Sequence, residues 1–363
     1  MGVALRPLAG GPRDAVALDP RELRSVLVVR INGRLGNTLF MTPLLRQLHT
    51  LLPQARIDLA VSYPHAATLL AGMPGLGRVI LFPHKGGTGM AGRYLGALRA
   101  LRRQRYDLVI EPTLHSTSGR IVLAMSRSRH RLGFDSHTQW APLSHAVPPP
   151  TDTLHMGQEP VYLLARGFNL PWSPADVRLW LPLSDEERDR GHAAVKAALA
   201  KAAAISGGTA ASGPDAAATI NTFGFFAHAT GFKALPGSWW LEFWAAFQEL
   251  APEARPVEFL PTATTPPVGP QFTALNLPAQ RLLTAAIACM RMFICADGGP
   301  LHLAGSTDTP TIGLFNGHSD PALYGPLKPA DRSIDVRGLA PRDVARRVYE
   351  AWALTAAPCV TGK

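Results

Sequence analysis

The chain has 363 residues, 47% hydrophobic and 17% charged, which exceeds what one hydrophobic core usually holds and supplies apolar material for two. No apolar stretch is long enough to span a bilayer, and Arg6, Arg13, Asp14 and Asp19 among Gly and Pro do not make a secretory signal. Cys289, Cys295 and Cys359 lack metal-ligand spacing and are too few for a disulfide framework, so the expected compartment is the reducing cytosol. The net charge of +10 is uneven: residues 1–175 hold 20 Lys/Arg against 9 Asp/Glu, and residues 176–363 hold 16 against 17. Attraction to an anionic partner therefore falls to the first half, whether that partner is a phosphorylated glycolipid, a membrane surface or nucleic acid; otherwise these cations are a solvated surface.

Residues 1–24 read as a loose tail. The apolar run Ser25 to Ile31 predicts a central strand of a parallel sheet. It enters a loop, Asn32 to Asn37, and a helix follows from Thr42-Pro43. The loop is not G-x-G-x-x-G, which disfavours a nicotinamide-dependent dehydrogenase. Arg30, Arg34 and Asn37, at a strand's carboxyl end, either contact a ligand or only close the turn. Further strands are predicted over 57–61, 79–82 and 108–110. The helix predicted over 90–105 places Tyr94, Leu98 and Leu101 on one face and Arg99, Arg102 and Arg103 on another; the basic face is either solvated or docks on an acidic membrane. After the fourth strand, Ser116, Thr117, Ser118 and Arg120 suit a phosphate or a sugar hydroxyl, though capping accounts for the hydroxyls equally well; capping does not need Glu111 or His115. A basic knot at Arg127, Arg129, His130 and Arg131 precedes an irregular loop over 136–150 and a helix over 155–165. Around Pro171-Trp172-Ser173-Pro174 the chain crosses into a second domain, giving domains over 25–173 and 174–340.

The second domain opens with a helix over 185–203, capped by Ser184, and a low-complexity Ala/Gly/Ser insertion over 204–218. The strand Phe223 to Ala227 ends at Thr230, Gly231 and Lys233: a hydroxyl donor, a close backbone and a point charge, as a pyrophosphate site needs. The alternative is a turn with an exposed lysine. Trp239, Trp240, Phe243 and Phe247 follow at core spacing on a helix. A strand over 257–260, a Pro/Thr-rich loop over 261–270 and a helix over 281–289 lead to the buried strand Met292 to Ala296. That strand ends on Asp297, Gly298 and Gly299, where a helix starts at Pro300 with unpaired N–H groups and His302 one turn in. Either this mouth binds an anion, or Asp297 is a turn residue and His302 a core side chain. A last helix, in the segment 341–363, is expected to pack back across the domain boundary.

Several of these blocks fall in a familiar order: Gly36 with Thr42-Pro43; His228-Ala229-Thr230-Gly231 with Lys233; Asp297-Gly298-Gly299-Pro300-Leu301-His302; Pro310-Thr311-Ile312-Gly313-Leu314-Phe315; and Asp320-Pro321 with Tyr324-Gly325-Pro326. Over roughly residues 25–355 the chain resembles the ADP-heptose–lipopolysaccharide heptosyltransferase family, most specifically in the block from Asp297 onward. The resemblance implies an α/β fold of the GT-B type, two Rossmann-like doubly wound domains facing across a cleft, the first for the acceptor and the second for a nucleotide-sugar donor. It implies a glycosyltransferase that moves a heptose-type sugar, with inversion, from ADP-heptose to a lipopolysaccharide core or related glycolipid. On that reading Thr230, Gly231 and Lys233 contact the donor diphosphate, Gly298, Gly299 and His302 line the same phosphates, and Asp297 stands near the sugar hydroxyls. Arg30, Arg34, Ser118 and Arg120 are the expected acceptor contacts, and an acidic acceptor at the inner leaflet accounts for the basic first half.

The leaving diphosphate is then stabilised by Lys233, Thr230 and the helix start after Gly299. No metal is required, since no Asp-x-Asp pair holds one; magnesium enters at most as a non-essential activator. The family carries Gly-Asp, its presumed general base, where this chain has Gly36-Asn37, and an amide cannot take a proton near neutral pH. Catalysis then involves Asn37 as a positioning group with Glu111, His115 or Asp135 as the base, or the chain binds glycolipid and donor with altered or lost transfer. The other reading, a basic nucleic-acid-binding protein, is motivated by a pI near 10.0 but lacks a recognised motif and aromatics among its arginines. The expected setting is cytoplasmic, peripheral on the inner membrane, with no nucleic-acid partner.

Overall fold

The computed structural model describes residues 17–83, 89–136, 143–205 and 221–356. The tail expected over 1–24 and the insertion expected over 204–218 lie mostly outside them, as does Cys359. The chain divides into two compact units, residues 1–182 and 183–363.

The first unit runs β1 (Ser25–Arg30), α1 (Leu35–Leu39), α2 (Thr42–Leu51), β2 (Arg56–Val61), α3 (Ala66–Leu69), β3 (Leu76–Leu81), α4 (Met90–Arg102), β4 (Arg105–Glu111), α5 (Thr117–Met125), β5 (Arg127–Phe134), β6 (His145–Val147) and α6 (Glu159–Gly167). Its strands form one parallel sheet in the order β3-β2-β1-β4-β5-β6. β1 lies between β2 and β4, and Val26, Leu27, Val28 and Val29 are fully buried, which is why this strand is a continuous apolar run rather than an alternating one.

The second unit runs α7 (Asp185–Ile205), β7 (Thr222–Phe226), α8 (Gly237–Leu250), β8 (Arg255–Leu260), β9 (Thr273–Asn276), α9 (Gln280–Ile287), β10 (Met292–Ala296), α10 (Gly299–Gly305), β11 (Thr311–Phe315), α11 (Pro321–Tyr324), β12 (Arg332–Asp335) and α12 (Pro341–Ala356). Its parallel sheet has the order β12-β11-β10-β7-β8-β9. Phe223 and Phe225 of β7 pack against Trp240, Phe243, Trp244 and Phe247 of α8, together with Val344 and Val348 of α12. Burying each of these large side chains contributes on the order of 2 kcal/mol or more.

The two sheets share one topology. In each, the first strand of the unit lies beside the fourth, and the connections run outward in opposite directions from that pair. A doubly wound sheet binds ligands at the carboxyl ends of the strands flanking such a reversal. The fold therefore marks two crevices: one beyond β1 and β4, the other beyond β7 and β10.

The fold departs from the expected one at three places. The units divide at Pro182/Leu183, not near residue 173, because the 171–181 segment packs into the first unit. Val177, Leu179 and Leu181 are buried there, Trp172 sits edge-on to Tyr162, and the Trp180 N–H donates to Thr42 Oγ1 at 3.1 Å. α12 lays its apolar face on α8 of its own unit, where the sequence reading sends it back over the boundary. The basic knot at 127–131 is the start of β5. Its first residues are exposed or half-buried and only Leu132 to Phe134 enter the core, so charge masks the strand pattern.

Candidate active site

In the second unit, β7 and β10 are hydrogen-bonded neighbours, with Cys295 opposite Phe226. Parallel strands in register deliver the segments that follow them to the same rim. Thr230, Gly231 and Lys233 thus come beside Asp297 and His302. Gly231 has φ +63°, a left-handed conformation that costs a side-chain-bearing residue about 1 kcal/mol, and with this bend the loop forms a short 3-10 turn over Gly231–Lys233. Lys233 Nζ donates to Asp297 Oδ2; the lysine side chain is 35% exposed and the carboxylate is buried. The Tyr324 ring centroid lies 5.8 Å from the same Nζ, a cation–π contact that also brings in the segment after β11.

His302 Nε2 stands 3.6 Å from Asp297 Oδ1. Burial lowers its pKa to about 4, with Asp297 opposing and Lys233 adding, so the imidazole is neutral at physiological pH. Gly298 is fully extended (φ 176°), a conformation any residue adopts, so the chain makes no sharp bend there. A Cβ at Gly298 would meet nothing nearer than 3.9 Å; the position leaves room over the backbone. α10 has only seven residues and no side-chain N-cap, so the charge at this rim comes chiefly from Lys233 and Asp297.

In the first unit, the rim beyond β1 and β4 is a buried polar chain. Arg30 Nη2 donates to Asn37 Oδ1 and Nη1 to Thr113 Oγ1, both at 2.8 Å. The Thr113 N–H donates to Glu111 Oε1 at 3.1 Å, and Glu111 Oε2 pairs with Arg120 Nε at 3.0 Å. Arg120 also donates to the Phe134 carbonyl. Two glycines make room for this pair: a Cβ at Gly119 would come within 2.9 Å of Glu111 Oε1, and one at Gly133 within 2.8 Å of Arg120 Nη1.

This arrangement corrects three assignments. Arg120 is 2% exposed and spent on Glu111 and the β5 carbonyl, so it is a strut and not an acceptor contact. Glu111 is fully buried, and burial pushes its carboxyl up to about 7 against the pull of Arg120; it has no open face from which to deprotonate an acceptor. Arg30 is likewise buried and donates to Asn37 and Thr113, so it is a strut that orients Asn37 and not an acceptor contact. Arg34 and His115 are exposed, as is Asp135 just past β5, and Ser118 is half-buried in the first turn of α5, where the Ser116 side chain caps the helix.

Residues 275–347 match the family model for glycosyltransferase family 9 (heptosyltransferase), a span that includes Asp297, His302 and Tyr324. That segment, a part of the second unit, is similar to the heptosyltransferases. No curated protein matches the chain in sequence. Among solved structures it is similar to a family 9 glycosyltransferase of Veillonella parvula, with TM-score 0.67 at 15% identity over 92% of this chain and 98% of the other. It is also similar to E. coli ADP-heptose LPS heptosyltransferase II, with TM-score 0.64 at 18% identity over 92% and 100%. For the E. coli heptosyltransferase WaaC with ADP, the values are 0.66 at 16% identity over 90% and 99%. At these identities the likeness speaks for the fold, two parallel α/β units of GT-B type.

Some side chains near the rim of the second sheet escape a reading by motif. Phe232, 84% exposed, stacks on His318 with centroids 5.4 Å apart, and Asn316 Nδ2 donates to the Phe232 carbonyl at 2.7 Å. Glu258, buried in β8, contacts His228 Nε2 at 2.9 Å and accepts from the Val268 N–H at 2.9 Å. The available signal was an acid inside an apolar strand, Val257-Glu258-Phe259, which needs a partner.

Glu159, in the first turn of α6, offers a clean pH test. Burial raises its carboxyl to about 7, with Arg30 opposing. The folded pKa exceeds the unfolded one, so the folded state holds the extra proton between them, and the stability this proton lends is lost as pH rises through 7. Glu159→Gln should match the wild type near pH 4.5 and be more stable at pH 8 by about 1–3 kcal/mol, read as a melting-temperature difference that grows with pH. A difference of the same size at both pH values would show that Glu159 does not titrate in this window.

Proposed function

We propose that this enzyme transfers a heptose-type sugar, with inversion, from ADP-heptose to the core of lipopolysaccharide or a related anionic glycolipid. The observation that carries the reading is the meeting of Lys233, Asp297 and His302 beside the open backbone at Gly298, at the crevice where a doubly wound sheet takes its ligand. The E. coli enzyme solved with ADP supports that choice of nucleotide.

The donor diphosphate lies along Thr230, Gly231 and Lys233 on one side and Gly298 and Gly299 on the other. Lys233, already held at this rim by Asp297, turns its charge to the leaving phosphate as the bond to the anomeric carbon breaks. Asp297 keeps the lysine in place and accepts from the sugar hydroxyls, while neutral His302 adds no cation that would compete with the lysine. A divalent cation has at most the part of a non-essential activator.

Arg34 and Ser118 receive the acceptor in the first unit. Asn37, its carbonyl oxygen already accepting from Arg30, offers the acceptor an N–H donor; the proton goes to His115 or Asp135, the exposed titratable groups beyond β4 and β5. Because the acceptor is a lipid, the enzyme works as a peripheral protein on the cytoplasmic face of the inner membrane. No helix among the described residues is long and apolar enough to cross it. Asn37 also favours a second reading, a homologue that binds the donor without transferring it.

Calorimetry with ADP, UDP, GDP and CMP, each with and without its sugar, tests the donor. ADP and ADP-heptose should bind at least tenfold tighter than the others, and heptose should pass to a lipopolysaccharide acceptor lacking it. Tighter binding of UDP or GDP would overturn the donor, and binding without transfer would favour the second reading.

A further inference from the structure

α4 and α5 carry exposed apolar side chains: Leu95 is 46% exposed, Ile121 45% and Met125 36%. Between the helices runs an open groove of ≈520 Å³ lined by Leu95, Leu98, Arg99, Arg102, Arg103 and Met125. The lining is aliphatic with three cations, and none of the three arginines forms an ion pair among the described residues. Neither helix contains an Asp or Glu, so no carboxylate in α4 or α5 neutralises the patch.

This combination selects its occupant. An ordinary solvated basic face has no aliphatic groove inside it, and apolar side chains exposed together mark a binding surface. A single-stranded nucleic acid would need aromatic rings to stack its bases, and none lines the groove. Phosphate on an acyl chain satisfies both halves at once: guanidinium forks take the phosphate oxygens, and the aliphatic wall takes the hydrocarbon.

We propose that the α4–α5 groove docks the enzyme on an anionic phospholipid bilayer. Arg99, Arg102 and Arg103 hold lipid phosphates while Leu95, Ile121 and Met125 enter the acyl layer. The inference deepens the acceptor half of the proposed function by giving that half a membrane contact, but it stands on phospholipid alone and needs no glycolipid for its test.

Cosedimentation of the full chain with phosphatidylcholine vesicles, with and without phosphatidylglycerol, tests it. The wild type should bind the mixed vesicles and bind pure phosphatidylcholine far more weakly. The R99Q/R102Q/R103Q variant should lose on the order of a hundredfold in affinity for mixed vesicles, and Leu95→Ser several-fold. R346Q/R347Q, which removes two exposed cations from α12, should bind like the wild type. ADP binding measured by calorimetry should be unchanged in every variant, which reports both an intact fold and a donor site whose fate is separate. Full binding by the triple variant, an equal loss in the α12 control, or tighter binding of a single-stranded oligonucleotide than of mixed vesicles would each overturn the proposal. A dimer that Leu95→Ser dissociates would overturn it too.

Discussion

Lys233→Ala should lower kcat on the order of a hundredfold, with a much smaller effect on the KM for the donor. Charge builds on the leaving diphosphate only as the anomeric bond breaks, so a cation aimed at it acts mainly in the transition state. The lysine is half-exposed and water can fill its place, so the fold should lose no more than about 1 kcal/mol. A second readout separates an electrostatic role from a structural one. Lys233 is one of the influences that lower the His302 pKa, so its removal should move the His302 titration upward from about 4. Lys233→Arg keeps the charge but spreads it over a planar fork, and should recover only part of the rate. Unchanged kcat in Lys233→Ala would remove this lysine from the mechanism.

The largest stability effect is expected in the first unit. Arg120→Met leaves Glu111 buried opposite an apolar side chain, and breaking a fully buried pair on one side typically costs about 3–5 kcal/mol. The cost depends on pH in a defined direction. Glu111 already has a folded pKa raised to about 7, and losing Arg120 raises it further. The penalty is therefore absent below the unfolded pKa, where the carboxyl is protonated in both states, and grows as pH rises above it. Urea titrations of the first unit's transition at pH 5 and pH 8 should show the larger loss at pH 8. The double variant Glu111→Leu with Arg120→Met should recover most of it, because no charge is then left buried. A single variant as stable as the wild type at pH 8 would mean that Glu111 and Arg120 do not depend on each other.

Both predictions concern cations that look alike along the chain. Arg30, Arg34, Arg120 and Lys233 each lie at or just past a strand end or in the first turn of a helix. Folded, Lys233 is at a half-exposed rim, Arg34 is exposed, and Arg30 and Arg120 are struts. What separates them lies far away in sequence: Thr113 is 83 positions from Arg30, and the Phe134 carbonyl that holds Arg120 belongs to the next strand.

The strands β1, β2, β7 and β10 were legible because each is a buried run whose signal lies within its own few residues. The same holds for the aromatic face of α8 and for the block from Asp297 to His302, where strand, glycines and helix start are contiguous. β6, β9 and β12 have only three or four residues each, and these exist as strands through hydrogen bonds to a neighbour rather than through a pattern of their own. Local periodicity and composition are enough for the α/β alternation, the separation into two halves and the chemical types gathered at each strand end. That both sheets reverse direction beside their first strands, and which charged groups there are exposed, emerges from strand pairing and burial in the fold. Pairing and desolvation depend on partners that the chain brings together only by folding.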